Sequence, residues 1–292
     1  MYTWMLFVHV FLGWGASDNA IFMRDASRNP IWRGVVQRAA RFRLAWLLIA
    51  LVLGIAVYLL VGNLLIFLVL PLVIFTLALA LTLGPVIAEE RTKLSWEPLL
   101  TVPYDMRAIL LGKASGALWH IRLLTYAIGI LLMCVSAGVG TIGLTLIPDG
   151  LTQASGWQGV GLYGVLLLVP ILGSLLFIWD RMQQYALLAV AALASGTAAP
   201  SIRAALSTAT TVVLLIWVIE IAATEVFLTL EQGGGWRPDA KSVLSVATLG
   251  PVVSSISQME LGHAALFIGG TLLLREVIIG SVWRWILQRA RY

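Results

Sequence analysis

Polar and apolar positions along this chain separate into long blocks instead of alternating. Near-continuous apolar runs cover residues 44–61, 64–87, 115–138, 158–179, 205–229 and 262–286, with a shorter run at 185–199. Crossing about 30 Å of hydrocarbon takes roughly 20 helical residues at about 1.5 Å each, which is the length of these runs. The pattern predicts an all-α, polytopic membrane protein. Gly62-Asn63 makes a minimal turn between the first two spans, and Pro71 is a kink site in the second. The region 158–199 carries a polar break, Asp180-Arg181-Met182-Gln183-Gln184, between its two apolar pieces. It is expected to cross once overall, with one piece re-entrant, tilted or interfacial and Asp180-Arg181 marking a break at an interface. That gives about six transmembrane helices.

Shorter patterns flank the spans. Residues 4–14 are apolar but too short to span, which suits an interfacial or packed N-terminal helix. Over 30–43, Ile31, Val35 and Phe42 fall near one helical face, and Arg33, Gln37 and Arg41 fall on another. Asn29 can cap this helix and Pro30 suits its first turn. Residues 1–43 are therefore expected to form a cytoplasmic or interfacial segment with an amphipathic helix lying on the membrane surface. Residues 44–292 form the transmembrane domain, with a polar region at 89–113 and an extracellular segment at 230–261.

Composition strengthens this picture. The chain is 60% hydrophobic and 11% charged, with mean hydropathy +0.95, whereas soluble domains are about 45–50% apolar and about 25% charged. The net charge of +5 reads as positive-inside bias, not nucleic-acid binding, because the basic residues sit at the ends of apolar runs. Fourteen Lys or Arg fall on the proposed inner side: six before residue 44, four within 89–113, Arg203, and three after residue 283. Arg237 and Lys241 fall outside, and the loop 139–157 has no Lys or Arg. The expectation is a multi-pass protein of the cell membrane with both termini cytoplasmic. Trp46, Trp119, Trp157, Trp179, Trp283 and Trp285 lie near run ends, where amphipathic rings favour the interface. The single Cys134 excludes an intrachain disulfide.

Familiar catalytic patterns are missing. Gly112-Lys113 is followed by Ala114, so there is no phosphate loop. His9, His120 and His263 are scattered, with no metal-binding spacing, and no G-x-S-x-G elbow occurs. The chain is expected to be no enzyme and to hold no cofactor or metal.

The region 89–113 carries the most information. Glu89-Glu90-Arg91 ends the second span, and Ser95-x-Glu97 can start a short helix with Leu94, Leu99 and Leu100 on its apolar side. Pro103 stops that helix, and Asp105 can cap another running through Ile109 and Leu110 to Gly112-Lys113 and into the third span. A short amphipathic helix held between two spans is a lever that a gripping partner can use to move both.

In this order the residues Glu90-Arg91, Ser95-Trp96-Glu97, Leu99-Leu100, Thr101-Val102-Pro103 and Ile109-Leu110-Leu111-Gly112-Lys113 resemble the coupling-helix region of ABC-2 type ABC transporter permeases. The amphipathic helix before the first span resembles that family's connecting helix, and Gly250-Pro251 resembles the helices before its final span. Ser195 to Arg203 loosely resembles its second cytoplasmic turn. Lys93-Leu94 stands where the family has a Gly, and Pro98 interrupts the Glu-Leu-Leu run. The resemblance implies an export permease that pairs with a second copy or a related permease. Separate ATP-binding cassette subunits, holding ATP and Mg, would dock on the coupling helix, with Glu90, Arg91, Glu97 and Lys113 touching the ATPase or holding the lever.

Ionisable residues also occur inside the apolar runs: Glu220 and Glu225 in 205–229, Arg275 and Glu276 in 262–286. A charge at mid-bilayer costs about 2.5–3.5 kcal/mol or more, so each is expected to face protein or water and to find a partner. Arg275 is expected to pair with Glu220 across the last two spans, either as a structural ion pair or as the polar wall of a path or gate. Arg122 is expected to snorkel to the surface. Apolar candidates for a lumen make a lipid-like or amphipathic cargo plausible. Two other classes share these features: a structural or accessory membrane subunit, to which Pro98 and the extra apolar run point, and a secondary transporter, broken at Pro71 and Pro200, with ion coupling through Glu220 and Arg275.

Overall fold

The computed structural model describes residues 2–13, 19–28, 65–93, 95–101, 104–144, 157–231, 246 and 261–290. The first expected span (44–61), the amphipathic helix over 30–43 and most of 230–261 lie outside the described residues. All regular structure among the described residues is helical.

Among the described residues ten α-helices follow in chain order: α1 (Tyr2–Leu6), α2 (Ala20–Arg28), α3 (Leu65–Leu83), α4 (Pro85–Thr92), α5 (Trp96–Leu100), α6 (Met106–Leu118), α7 (Arg122–Leu144), α8 (Trp157–Ala198), α9 (Ile202–Glu231) and α10 (Leu261–Arg289). A π-helical turn, Phe7–Phe11, extends α1. It ends at Gly13, whose φ of 64° is the left-handed conformation that suits glycine. The apolar N-terminal stretch is thus a packed helix, with Leu6, Val10 and Phe11 buried.

Among the described residues, four helical stretches are long and apolar enough to cross a membrane: Val69–Thr92, Met106–Ser136, Ile202–Leu230 and Ala265–Arg289. The second starts earlier than the apolar run alone suggests. Its first part is α6, where Gly112, Lys113 and Ser115 are buried among protein side chains. The polar region 89–113 therefore does not end before the span; its last residues lie inside it.

Helix α8 corrects the reading of 158–199. Asp180 to Gln184 do not break the chain into two pieces. They lie inside one uninterrupted 42-residue helix, and Asp180, Arg181, Gln183 and Gln184 are all buried. Backbone hydrogen bonding within the helix is independent of side-chain polarity, so a polar run ends a helix only where a capping or breaking residue stands. None stands here.

The chain forms two compact units. The first comprises Met1–Thr125, Tyr185–Val218 and Glu276–Tyr292, and the second comprises Tyr126–Gln184 and Ile219–Arg275. The core of the first unit takes Leu79 and Leu83 from α3, Ile87 from α4, Ile109 and Leu110 from α6, and Leu188 from α8. Trp283 of α10 is also almost fully buried in it. Phe11 packs on Phe75 with centroids 6.5 Å apart, and Phe75 meets Tyr185 edge-on at 5.0 Å. Backbones approach closely at Gly84 and Gly196. A Cβ built on Gly196 would stand 2.1 Å from the Gly84 carbonyl oxygen, and one on Gly84 would stand 2.6 Å from Ala209 Cβ. Three elements meet at that point because two of them carry no side chain there.

In the second unit, Phe177 packs with Leu132, Val135 and Ile178, and Phe227 stacks on Phe267 at 4.5 Å. Ser174 donates to the Ser136 carbonyl at 2.7 Å, linking α8 to α7.

Candidate functional sites

The first site gathers the polar residues of 89–113. Glu90, near the end of α4, accepts from Lys113 Nζ of α6 and from Ser95 Oγ just before α5. Arg24 Nη2 of α2 also donates to Glu90, at 3.2 Å. Lys113 Nζ lies 2.8 Å from Asp25 Oδ2, and Arg24 Nε lies 3.1 Å from Asp25 Oδ1. Glu90, Lys113, Asp25 and Arg24 thus close a ring of two acids and two bases. Lys113 is its most buried member and Arg24 its most exposed. Burying charges is costly, and the ring offsets that cost by matching signs and filling lone pairs.

Two of the motif residues, Glu90 and Lys113, belong to this ring, Ser95 bonds Glu90 from beside it, and Gly112 packs next to it. A Cβ there would stand 2.6 Å from Asn19 Nδ2, so glycine leaves room for Asn19. Asn19 accepts from the Ile21 amide at 2.9 Å, capping α2, and donates to the Ala108 carbonyl at 3.0 Å. One side chain therefore starts α2 and docks it on α6.

Arg91 faces the other way. Its Nη1 donates to the Thr197 carbonyl at 2.9 Å and its Nη2 to the Arg289 carbonyl at 3.4 Å. A cation there satisfies carbonyls left over at the ends of α8 and α10 and complements both helix dipoles. Trp96 Nε1 donates to the Ala290 carbonyl at 3.1 Å, a buried bond. Helix α5 buries Trp96 and Leu99 and exposes Glu97 and Pro98. Ser95 precedes α5 but spends its hydroxyl on Glu90 instead of capping. Asp105 stands at the start of α6 in extended conformation, its carbonyl accepting from the Ile109 amide at 3.0 Å. Pro103, Leu94 and the side chain of Leu100 lie outside the described residues.

The second site lies in the second unit. Arg275 of α10 donates through Nε to Glu220 Oε1 of α9 at 2.8 Å, the expected pair. Its Nη1 also reaches Asp180 Oδ1 of α8 at 2.5 Å. Gln184 Nε2 donates to Glu220 Oε2 at 2.8 Å, and Arg181 Nη1 donates to Gln184 Oε1 at 2.6 Å. Arg181 Nε stands 3.9 Å from Asp180 Oδ2, within ion-pair range but beyond a hydrogen bond. Gln183 Nε2 donates to the Leu272 carbonyl at 3.1 Å. Asp180 and Arg181 are thus part of a buried cluster joining three helices, where the sequence pointed to an interfacial break. Helical spacing carries the signal: Asp180, Gln183 and Gln184 fall at i, i+3 and i+4, on one face.

Glu225 is buried on α9. Glu276 does not join its neighbour Arg275. It belongs to the first unit, where it accepts from the Tyr2 and Thr3 amides and, at 2.5 Å, from Thr3 Oγ1. Arg122 stacks over the Trp119 ring with its guanidinium carbon 4.0 Å from the centroid. Arg24, Asp25 and Asn19 were not singled out in the sequence. Asn19 two residues before Ile21-Phe22, with Arg24-Asp25 following, is the cap and charge pattern that marks α2. Among the described residues no group of His, Cys, Asp and Glu is arranged to hold a metal. Compared with family models, curated proteins and solved structures, the chain matches none.

Proposed function

We propose that the chain is the membrane-spanning permease subunit of an ABC-2 type exporter. It moves substrate by conformational change that a separate ATP-binding cassette subunit drives. In this reading it spans the cell membrane six times with both termini cytoplasmic, and it pairs with a second copy or a related permease. ATP and Mg belong to the partner, and this chain performs no chemistry.

The observation that carries the reading is how 89–113 is attached. Glu90 and Lys113 bond the segment to Arg24 and Asp25 of α2, Ser95 braces Glu90 from within the segment, and Arg91 and Trp96 bond it to the ends of α8 and α10. Glu97 is left exposed on the outer side of α5. A push on α5 therefore reaches several long helices through polar bonds, which is what a coupling element requires. Glu90 and Lys113 hold the lever, and Glu97 offers a contact to the ATPase.

The test is mild-detergent purification from native membranes with mass spectrometry of everything that accompanies the chain. The exporter reading expects a stoichiometric soluble subunit with a G-x-x-x-x-G-K-[ST] loop, lost on Glu97→Lys. Recovery with other membrane subunits and no ATPase would overturn it in favour of an accessory subunit.

A further inference from the structure

Helices α6 and α7 differ in what surrounds them. From Ile109 to Leu118 no residue is exposed, whereas Trp119, Arg122, Leu123, Tyr126, Ile130 and Met133 all are. The change falls at a 3-10 turn, Trp119–Ile121, between the two helices. At about 100° per residue the exposed positions of α7 share one face. A Cβ built on Gly129, which lies on that face, meets nothing within 4 Å. Helix α7 has 23 residues, which at about 1.5 Å each is enough to cross the hydrocarbon by itself. Trp119 and Arg122 thus stand where headgroups give way to acyl chains, the level that tryptophan and snorkelling arginine favour.

The pair is arranged to take an anion. The Arg122 guanidinium carbon stands 4.0 Å from the centre of the Trp119 ring. Trp119 is in turn met edge-on by the buried Phe22 of α2, at 5.3 Å. This stack orients the guanidinium plane, yet among the described residues neither its N–H groups nor the indole Nε1–H has an acceptor. Lys113 and Arg24 are spent on Asp25 and Glu90, whereas Arg122 has no carboxylate. A guanidinium without an acid favours a ligand of net negative charge, and its fork matches phosphate oxygens. Beyond it the exposed face of α7 is apolar. We propose that Arg122 and Trp119 bind the phosphate of an anionic phospholipid whose acyl chains lie along Leu123, Tyr126, Ile130 and Met133. The proposal needs the chain to sit in a membrane and does not rest on the exporter reading.

The single cysteine, Cys134, is exposed on the same face of α7, about 18 Å along the helix from Arg122. A bimane label there reports quenching by lipid that carries bromine near the ends of its acyl chains. The full chain, so labelled, is reconstituted in mixtures of phosphatidylglycerol and phosphatidylcholine, with bromine on one lipid and then on the other. Phosphatidylglycerol is expected to displace phosphatidylcholine with about a fivefold preference, the effect of one basic residue near the surface. The preference should vanish in Arg122→Gln and persist in Arg203→Gln, which removes an exposed cation from α9. Should Arg122→Gln misfold, Trp119→Leu decides: it keeps every charge, loses the stack and the indole N–H, and should at least halve the preference. A ratio near one in the natural chain overturns the proposal. So does a ratio that survives both substitutions, the mark of overall charge only, and so does a label that neither lipid quenches, because another helix then covers the face. Sodium phosphate is expected to compete no better than sodium chloride of equal ionic strength; stronger competition would mean a site for free phosphate and overturn the lipid assignment. Loss of the ATPase on purification would sink the exporter reading and leave this result standing.

Discussion

Lys113 of α6 and Asp25 of α2 stand 2.8 Å apart, nitrogen to oxygen, and Lys113 has only 2% of its side chain exposed. The same ammonium also serves Glu90, so one buried cation holds two carboxylates from two other helices. Removing it leaves both carboxylates with the more exposed Arg24 as their remaining cation. Lys113→Met is expected to lower stability by about 3 kcal/mol, the low end of the cost of breaking a buried pair from one side. Adding Glu90→Gln should recover part of that loss, because one under-compensated buried charge is then removed. Thermal unfolding of the purified single and double variants measures both, and purely additive effects would contradict the ring.

Arg91 closes the ends of two helices with one guanidinium. Arg91→Ala is expected to cost about 1–2 kcal/mol, from two carbonyl bonds and the dipole interaction. Lysine restores the charge but cannot fork between the Thr197 and Arg289 carbonyls, so Arg91→Lys should recover less than half. Amide exchange at the ends of α8 and α10 reads the effect locally, with faster exchange in both variants and the larger change in Arg91→Ala.

The sequence made α5, α6 and the Glu220–Arg275 pair legible for separate physical reasons. Ser95 and Asp105 stand at the starts of α5 and α6, although neither side chain caps its helix, and charges inside apolar runs must find partners wherever the fold puts them. Asp180 and Arg181 were misread because a polar cluster inside an apolar run looks the same as a break until neighbouring helices are known. The partner of Asp180, Arg275, lies 95 positions away, and nothing local announces it. Asp25 and Arg24 were hidden differently. Helix α2 is short, and its charges look like ordinary solvated residues until Lys113 is placed beside them. Glu276 shows the remaining limit: its neighbour Arg275 pairs with α8 and α9, while Glu276 serves the amides of Tyr2 and Thr3. Adjacent residues on a helix point about 100° apart, so adjacency in sequence gave no shared site.

Arg275 satisfies both Glu220 and Asp180, whereas Glu220 has Gln184 as a second partner. Arg275→Gln is therefore expected to destabilise more than Glu220→Gln, by about 2 kcal/mol or more, because it leaves two buried carboxylates without their cation. Denaturation of the reconstituted variants under matched lipid conditions checks the order. A larger effect for Glu220→Gln would show that the cluster is not organised around Arg275.

Glycines in this chain should separate sharply by what a side chain would meet. Gly196→Ala puts a Cβ at 2.1 Å from the Gly84 carbonyl oxygen, a distance that no rotamer change relieves because the obstacle is backbone. The helices must move apart, and overpacking of this kind costs about 1–3 kcal/mol or more. Gly269→Ala and Gly270→Ala on α10 meet nothing within 4 Å. There alanine only removes glycine's helix penalty, and each should be neutral or stabilising by up to about 1 kcal/mol. Unfolding temperatures of the three variants in one detergent test the contrast directly. A Gly196→Ala protein as stable as the natural chain would mean that α8 does not approach Gly84 so closely. A marked loss at Gly269 or Gly270 would instead reveal that another helix, from a second copy or a partner, packs on that face of α10.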